Sequence, residues 1–302
     1  MNGRERGFLL LTSHLGDPER KVLTVPQLRV LAQAVAGSGI SDATGEVQEK
    51  DLMDLGFNRG SAQRILQLLA EEERLDCYLR DGVQADCLAI TRVSGAYPLR
   101  VRTRLGLDSP GCLWVKGDPT LLSLPAVSLV GSRDLREDNL VFAQMVGEQA
   151  ARQGLVLISG NARGADTAAQ EACLAHGGKV ISVVADRLVE HPLQENVLYV
   201  SEDGYDLPFS SQRALSRNRV IHALGNAVLV AQCTLGKGGT WDGTVKNLKG
   251  GWSPVYCFCD GSEAFAQLTQ MGAKPICMEQ LSDLQSLKAD ANLFDQCEAN
   301  ML

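Results

Sequence analysis

The chain has 302 residues, 45% of them apolar and 22% charged, a globular composition that excludes a disordered or fibrous chain. Its net charge of −7 excludes a surface coated throughout with cations, so any polyanion must be met by a local patch. No apolar run approaches the length of about 18 residues needed to span a membrane, and Phe8–Thr12 is too short for the core of a secretory signal, so a cytoplasmic location with no membrane contact is expected.

Residues 1–83 read as a small helical domain. Val25–Val35 carries Leu28, Leu31 and Val35 at helical spacing, ahead of a Gly/Ser/Asp-rich break at Gly37–Gly45. From Lys50 to Leu69 the sequence predicts a short helix, a glycine turn and a second helix capped by Ser61. This hairpin resembles the SAM-like or helix-hairpin-helix modules that accompany DNA-handling domains. A packing unit with no nucleic-acid contact stays open beside that reading.

From residue 84 the texture changes, and apolar runs alternate with helical stretches. Strands are expected at Cys87–Thr91, Ala126–Val130, Leu155–Ser159, Val180–Val184, Ala227–Ala231 and Val255–Cys259, and helices at Asn139–Gln153, Ala165–His176 and Glu263–Met271. Several of these strands lack polar alternation, as parallel strands buried on both faces do. The alternation predicts an α/β fold over residues 84–280, an extended Rossmann-like, doubly wound and mostly parallel sheet. Ligands of such sheets bind at the carboxyl ends of the strands. Residues 281–302 read as a mildly acidic tail with no winged-helix domain.

Four segments at that edge carry the candidate chemistry. After Ala126–Val130 comes Gly131-Ser132-Arg133, a tight turn with a hydroxyl and a guanidinium. After Leu155–Ser159 comes Gly160-Asn161-Ala162-Arg163-Gly164-Ala165-Asp166, which opens directly into a helix; with Ser159 it offers amides and a helix N-terminus to an anion. Ser216-Arg217-Asn218-Arg219 is expected to open an exposed helix, and Gly236-Lys237-Gly238-Gly239-Thr240 forms a third glycine-rich loop. Arg133, Arg163, Arg217, Arg219 and Lys237 together would make one basic pocket on an acidic molecule. Neither the dinucleotide fingerprint nor the Walker spacing is present. The nine cysteines are odd in number; Cys233, Cys257, Cys259 and Cys277 sit in apolar runs and read as core thiols, and neither a metal nor a cofactor is expected.

In order and spacing, Val130-Gly-Ser-Arg133, Ser159–Asp166, His191-Pro-Leu-Gln-Glu-Asn196, Ser216–Ile221 and Gln270–Ile276 resemble the DprA/Smf family of DNA-processing proteins. Tyr97-Pro98 and Val115-Lys-Gly117 also fall where that family has short motifs. The resemblance implies a non-catalytic homodimer that binds and protects single-stranded DNA and helps load a RecA-type recombinase in natural transformation. It places phosphate contacts on Gly131, Ser132, Arg133, Ser159, Gly160, Gly164, Asp166, Arg217, Asn218 and Arg219. The chain departs from the family pattern at Gln170, where a histidine is usual, and at Ala231-Gln232 and Gly236–Gly243. Those departures leave room for a mobile-element or phage-defence setting, and for a sensor of a nucleotide signal. Gly238-Gly239-Thr240 also resembles part of the loop of LOG-type nucleotide phosphoribohydrolases, with Asp242 in place of the expected glutamate. Phe209 and Trp241 are candidates to stack on bases.

Overall fold

The computed structural model describes residues 1–17, 19–38 and 47–287, so most of the break expected at Gly37–Gly45, and the tail beyond residue 287, lie outside the described residues. The N-terminal region forms α1 (Gly3–Thr12), α2 (Val25–Gly37), α3 (Glu49–Asp54), α4 (Arg59–Leu69) and α5 (Glu72–Gln84). The cap of α4 is Asn58, not Ser61: the Asn58 side chain accepts the Ser61 amide at 2.9 Å, because a capping oxygen reaches the amide three residues ahead.

These helices divide between two cores. Leu11, Leu23, Leu31, Leu52, Ala62, Ile65 and Leu68 make a small cluster of their own. Leu9, Leu10, Leu75 and Tyr78 instead join the core beneath the sheet, where Tyr78 stacks on Tyr205 at 4.5 Å and donates its hydroxyl to Asp206 at 2.7 Å. Thus α1 and α5 pack with the residues after position 84, and the packing does not break at that boundary.

The sheet contains β1 (Leu88–Thr91), β2 (Cys112–Lys116), β3 (Ala126–Val130), β4 (Val156–Ser159), β5 (Lys179–Val183), β6 (Val197–Glu202), β7 (Val228–Val230), β8 (Val255–Phe258) and β9 (Lys274–Ile276). Their order is β1-β2-β6-β5-β4-β3-β7-β8-β9. The seven strands from β6 to β9 in this order are parallel, and β2 and β1 extend the β6 edge antiparallel. Helices α6 (Leu99–Leu105), α7 (Glu137–Arg152), α8 (Ala165–Ala175), α9 (Ser211–Leu224), α10 (Gly238–Gly250) and α11 (Glu263–Gln270) complete the fold.

The unbroken apolar runs reflect burial on two faces. In β3, Val127 and Leu129 join the core formed with Phe142 and Val146, while Ala126 and Val130 join the opposite core with Val220 and Leu224. The chain steps outward from β3 through β4 and β5 to β6, then crosses back through α9 to β7 on the other side of β3. That reversal makes the gap between β3 and β7 the topological switch point, where a crevice opens at the carboxyl ends.

Two expectations need adjustment. Residues 281–287 pack as part of the body: Leu281 and Leu284 are buried, and the Gln153 side chain donates to the Leu281 carbonyl at 2.8 Å and accepts the Leu284 amide at 2.7 Å. Cys233 and Cys257 are core thiols, but Cys259 is only half-buried and Cys277 is exposed; they stand just past the last residues of β8 and of the edge strand β9.

Candidate nucleic-acid interface

The loops after β3, β4 and β7 are locked together by their own polar groups. The Ala165 amide donates to the Ser132 carbonyl at 3.2 Å, and the Ala162 amide donates to Asp166 Oδ2 at 3.1 Å. Gly164 adopts φ +91° against the carbonyls of Ser132 and Arg133, where any Cβ would collide. Gln232 joins the other side: its carbonyl accepts the Ser132 hydroxyl at 3.2 Å, its Oε1 accepts the Arg136 amide at 2.9 Å, and its Nε2 donates to the Asp134 carbonyl at 3.1 Å. The Gly160–Asp166 loop therefore spends two of its amides on the fold, where the sequence suggested an anion cradle.

A cleft of about 400 Å³ lies over the switch point. One wall is a face of α9 formed by Ser211, Ala214, Leu215, Arg217, Asn218, Ile221 and His222, the three- and four-residue spacing of a helix stripe. The other wall is the Lys237–Thr240 start of α10 together with Gly131, Ser132 and Arg133. Asn218 Nδ2 donates to the Gly239 carbonyl at 3.0 Å, and the Thr240 hydroxyl donates to the Gly131 carbonyl at 2.9 Å. These two bonds hold the α10 N-terminus over the cleft, with first-turn amides that have no partner within the helix.

Arg217 dominates the electrostatics. It is 8% exposed, and its Nε and one terminal nitrogen are buried with no hydrogen-bond partner. Burial lowers its basicity, while the charge of Asp166 acts the other way. Asp166 is also buried, and burial raises its pKa against the opposing effect of the Arg217 charge. The two groups thus support each other's ionisation, yet no hydrogen bond satisfies the guanidinium. A buried cation with free donors is a costly arrangement, and an anion arriving in the cleft would relieve it. Arg133 and Lys237 are exposed on the same rim.

Of the residues expected to bind, the structure gathers Gly131, Ser132, Arg133, Asp166, Arg217, Asn218, Lys237, Gly238, Gly239 and Thr240 around this cleft. Ser159, Gly160, Asn161, Arg163, Gly164 and Arg219 do not line it. Arg163 pairs with Asp134 at 2.6 Å on the open surface. Ser159 accepts a 2.5 Å hydrogen bond from Gln170, which also reaches the Ser182 hydroxyl at 3.4 Å. The departure at position 170 is therefore an internal bridge between β4 and β5.

Gly160 acts indirectly, since a Cβ there would fall inside the Arg217 guanidinium. Arg219 lies two residues, about 200° of helix rotation, from Arg217, and pairs with the buried Glu202 at 2.8 Å. The expectation that both arginines are exposed at a helix start fails, because α9 already begins at Ser211. Phe209 is 57% exposed at the mouth of the cleft, whereas Trp241 is half-buried against the core. Ile221 and His222 also line the cleft, although in sequence they read as ordinary helix interior; the stripe from Ser211 is the signal that places them there.

Fold and site together define a doubly wound α/β protein with a cationic cleft at its switch point. Residues 89–280 match the family described as DNA recombination-mediator protein A, and the chain belongs to that family. It is 33% identical over 141 residues to DNA processing protein DprA of Streptococcus pneumoniae, covering 43% of this chain and 50% of that protein. It is 31% identical over 199 residues to Protein Smf of Escherichia coli, covering 62% of this chain and 52% of that protein. The chain thus spans about half the length of these curated relatives. The X-ray structure of DprA from Streptococcus pneumoniae superposes with a TM-score of 0.66 at 24% identity, covering 88% of this chain and 99% of that one. DprA from Helicobacter pylori, whose structure addresses its single-stranded DNA binding mode, superposes with a TM-score of 0.56 at 22% identity, covering 67% and 97%. At these identities the superpositions show a shared fold.

Proposed function

We propose that the cleft holds the sugar–phosphate backbone of single-stranded DNA, and that the chain is a non-catalytic recombination mediator. The observation that carries this reading is Arg217, a nine-tenths buried guanidinium with unanswered donors in a cleft that faces the start of α10. Backbone amides at a helix N-terminus and a guanidinium fork both suit phosphate oxygens. The cleft also follows α9 from Ser211 to His222, about 16 Å at 1.5 Å per residue, and is open at the Phe209 end. That shape favours a strand over a mononucleotide. Among the described residues lining the cleft, Asp166 is the only carboxylate, and Asp242 faces Lys246 at 2.8 Å, so the phosphoribohydrolase reading gains no support. On the strength of family membership, the proposal extends to protection of the strand, delivery to a RecA-type recombinase, homodimer formation and a cytoplasmic location. No helix among the described residues is long and apolar enough to cross a membrane.

Fluorescence anisotropy with a labelled oligo-dT tests the reading. Binding should weaken steeply with salt and resist competition by duplex DNA and by mononucleotides. Displacement by a mononucleotide at equal concentration of phosphate would contradict it and favour a nucleotide sensor.

A further inference from the structure

Cys259 and Cys277 stand side by side at the carboxyl ends of the last two strands. The parallel register of β8 and β9 pairs Tyr256 with Lys274, Cys257 with Pro275 and Phe258 with Ile276. One step further the Cys259 amide donates to the Ile276 carbonyl at 3.0 Å, and the Cys277 backbone is still extended, with φ −108° and ψ 168°. The ladder thus carries the two cysteines into the next facing position. Strand alternation sends both side chains to one face, away from the core that Phe258 and Ile276 join. Their thiols share a hydrogen bond. Neighbouring strands run about 4.8 Å apart, inside the span of about 4.4–6.8 Å that a disulfide allows between Cα atoms.

The two differ in access. Cys277 is exposed and Cys259 half-buried, whereas Cys233 and Cys257 nearby are sealed in the core. Burial, with the hydrogen bond to Cys277, pushes the Cys259 thiol up to about 11, which makes it a poor first nucleophile at neutral pH. We propose that Cys259 and Cys277 form a reversible dithiol–disulfide site, in which Cys277 meets a peroxide and Cys259 resolves the product. The Cys277 thiolate attacks one peroxide oxygen, the O–O bond breaks, and the departing hydroxide takes up a proton, leaving a sulfenic acid. The Cys259 sulfur then attacks the Cys277 sulfur. The S–S bond forms, and the sulfenic hydroxyl leaves with the Cys259 proton as water. Two thiols and one peroxide thus give a disulfide and two waters, the sulfurs losing the electron pair that the peroxide gains; a small dithiol reverses the bond by exchange. The bond ties β8 to β9, a three-residue edge strand in which Pro275 cannot donate to the ladder. It does so one residue before Asp260, which accepts Asn139 Nδ2 at 2.9 Å and pairs with Arg136 after the β3 loop. Neither cysteine lines the cleft, so the inference stands apart from the DNA reading.

The test treats the full, reduced chain with one equivalent of hydrogen peroxide and counts thiols after unfolding in denaturant. Of the nine thiols, two should disappear and seven remain, and dithiothreitol should restore all nine. Peptide mapping without reductant, using a protease that cuts after glutamate, separates the two cysteines at Glu263. It should find their fragments joined and lighter by two hydrogens than the sum of the reduced pair. Cys259→Ser should abolish the link and leave Cys277 as a sulfenic acid that a dione probe traps. Cys277→Ser should abolish the link and leave Cys259 unreacted at the same dose. Four results would overturn the proposal: Cys277 joined to any other cysteine, a link between two chains, a link that survives Cys259→Ser, or over-oxidation of Cys277 in the wild type with no link formed. The wild-type map alone decides the pairing, so the proposal stands or falls even where a variant fails to fold.

Discussion

Gly160→Ala isolates the role of Arg217 without touching a charge. Gly160 follows β4 with an ordinary backbone conformation, so alanine adds no backbone strain; the nearest neighbours of its new Cβ all belong to the Arg217 guanidinium. That group is the far end of a flexible side chain, and it must leave its seat. Stability should fall by roughly 0–3 kcal/mol. Crowding costs about 1–3 kcal/mol, and the loss of glycine freedom in the unfolded chain returns about 0.4–1 kcal/mol. Binding should suffer more, since a displaced guanidinium forfeits a charge-assisted hydrogen bond of about 1.5–3 kcal/mol, roughly ten- to a hundredfold in Kd. Anisotropy with oligo-dT reads the affinity, and thermal melting reads the fold. Gly60→Ala is the control, its nearest neighbour being Asn58 Oδ1 at an ordinary 3.6 Å. A folded Gly160→Ala protein that binds as the wild type does would refute the placement of Arg217 at the phosphate.

Arg219→Ala should act on stability instead: it strips the buried Glu202 of its partner, costing about 3–5 kcal/mol, with the affinity of the folded fraction unchanged and partial rescue by Glu202→Gln in a double variant. Leu281→Ala should cost about 2–5 kcal/mol by thermal or urea unfolding if the segment after residue 280 is part of the body; a change near zero would make it a tail. His222 gives a pH dependence. Its folded pKa of about 4 lies below the ordinary 6.5, so its contribution is complete above 6.5. It is lost as pH falls toward 4, up to about 3 kcal/mol. Urea titrations across that range should show a slope that His222→Phe lacks; parallel pH profiles would contradict the buried neutral ring.

Much of the architecture was legible because the central strands are buried on both faces. Ala126–Val130 matches β3 residue for residue, and the helices after β3 and β4 fall within two residues of expectation. The strands β2, β6 and β9 were harder: β6 carries Ser201 and Glu202 into the interior, and β9 is three residues long with a proline. The glycine loops were readable as loops, but their partners were not. Nothing local in Gly160–Asp166 reveals that the Ala165 amide is taken by the Ser132 carbonyl, since that bond depends on β3 lying beside β4. Likewise Arg217 and Arg219 look equivalent in a tetrapeptide. Only the true start of α9 at Ser211 fixes which faces the cleft and which faces Glu202.

A crystal structure of the full chain with a short oligo-dT is the most direct test of the central claim. The account predicts a backbone phosphate within hydrogen-bond distance of the Arg217 guanidinium and of first-turn amides of α10, with the strand running along α9 toward Phe209. DNA bound elsewhere, with the Arg217 nitrogens still unpartnered and the cleft open, would contradict it.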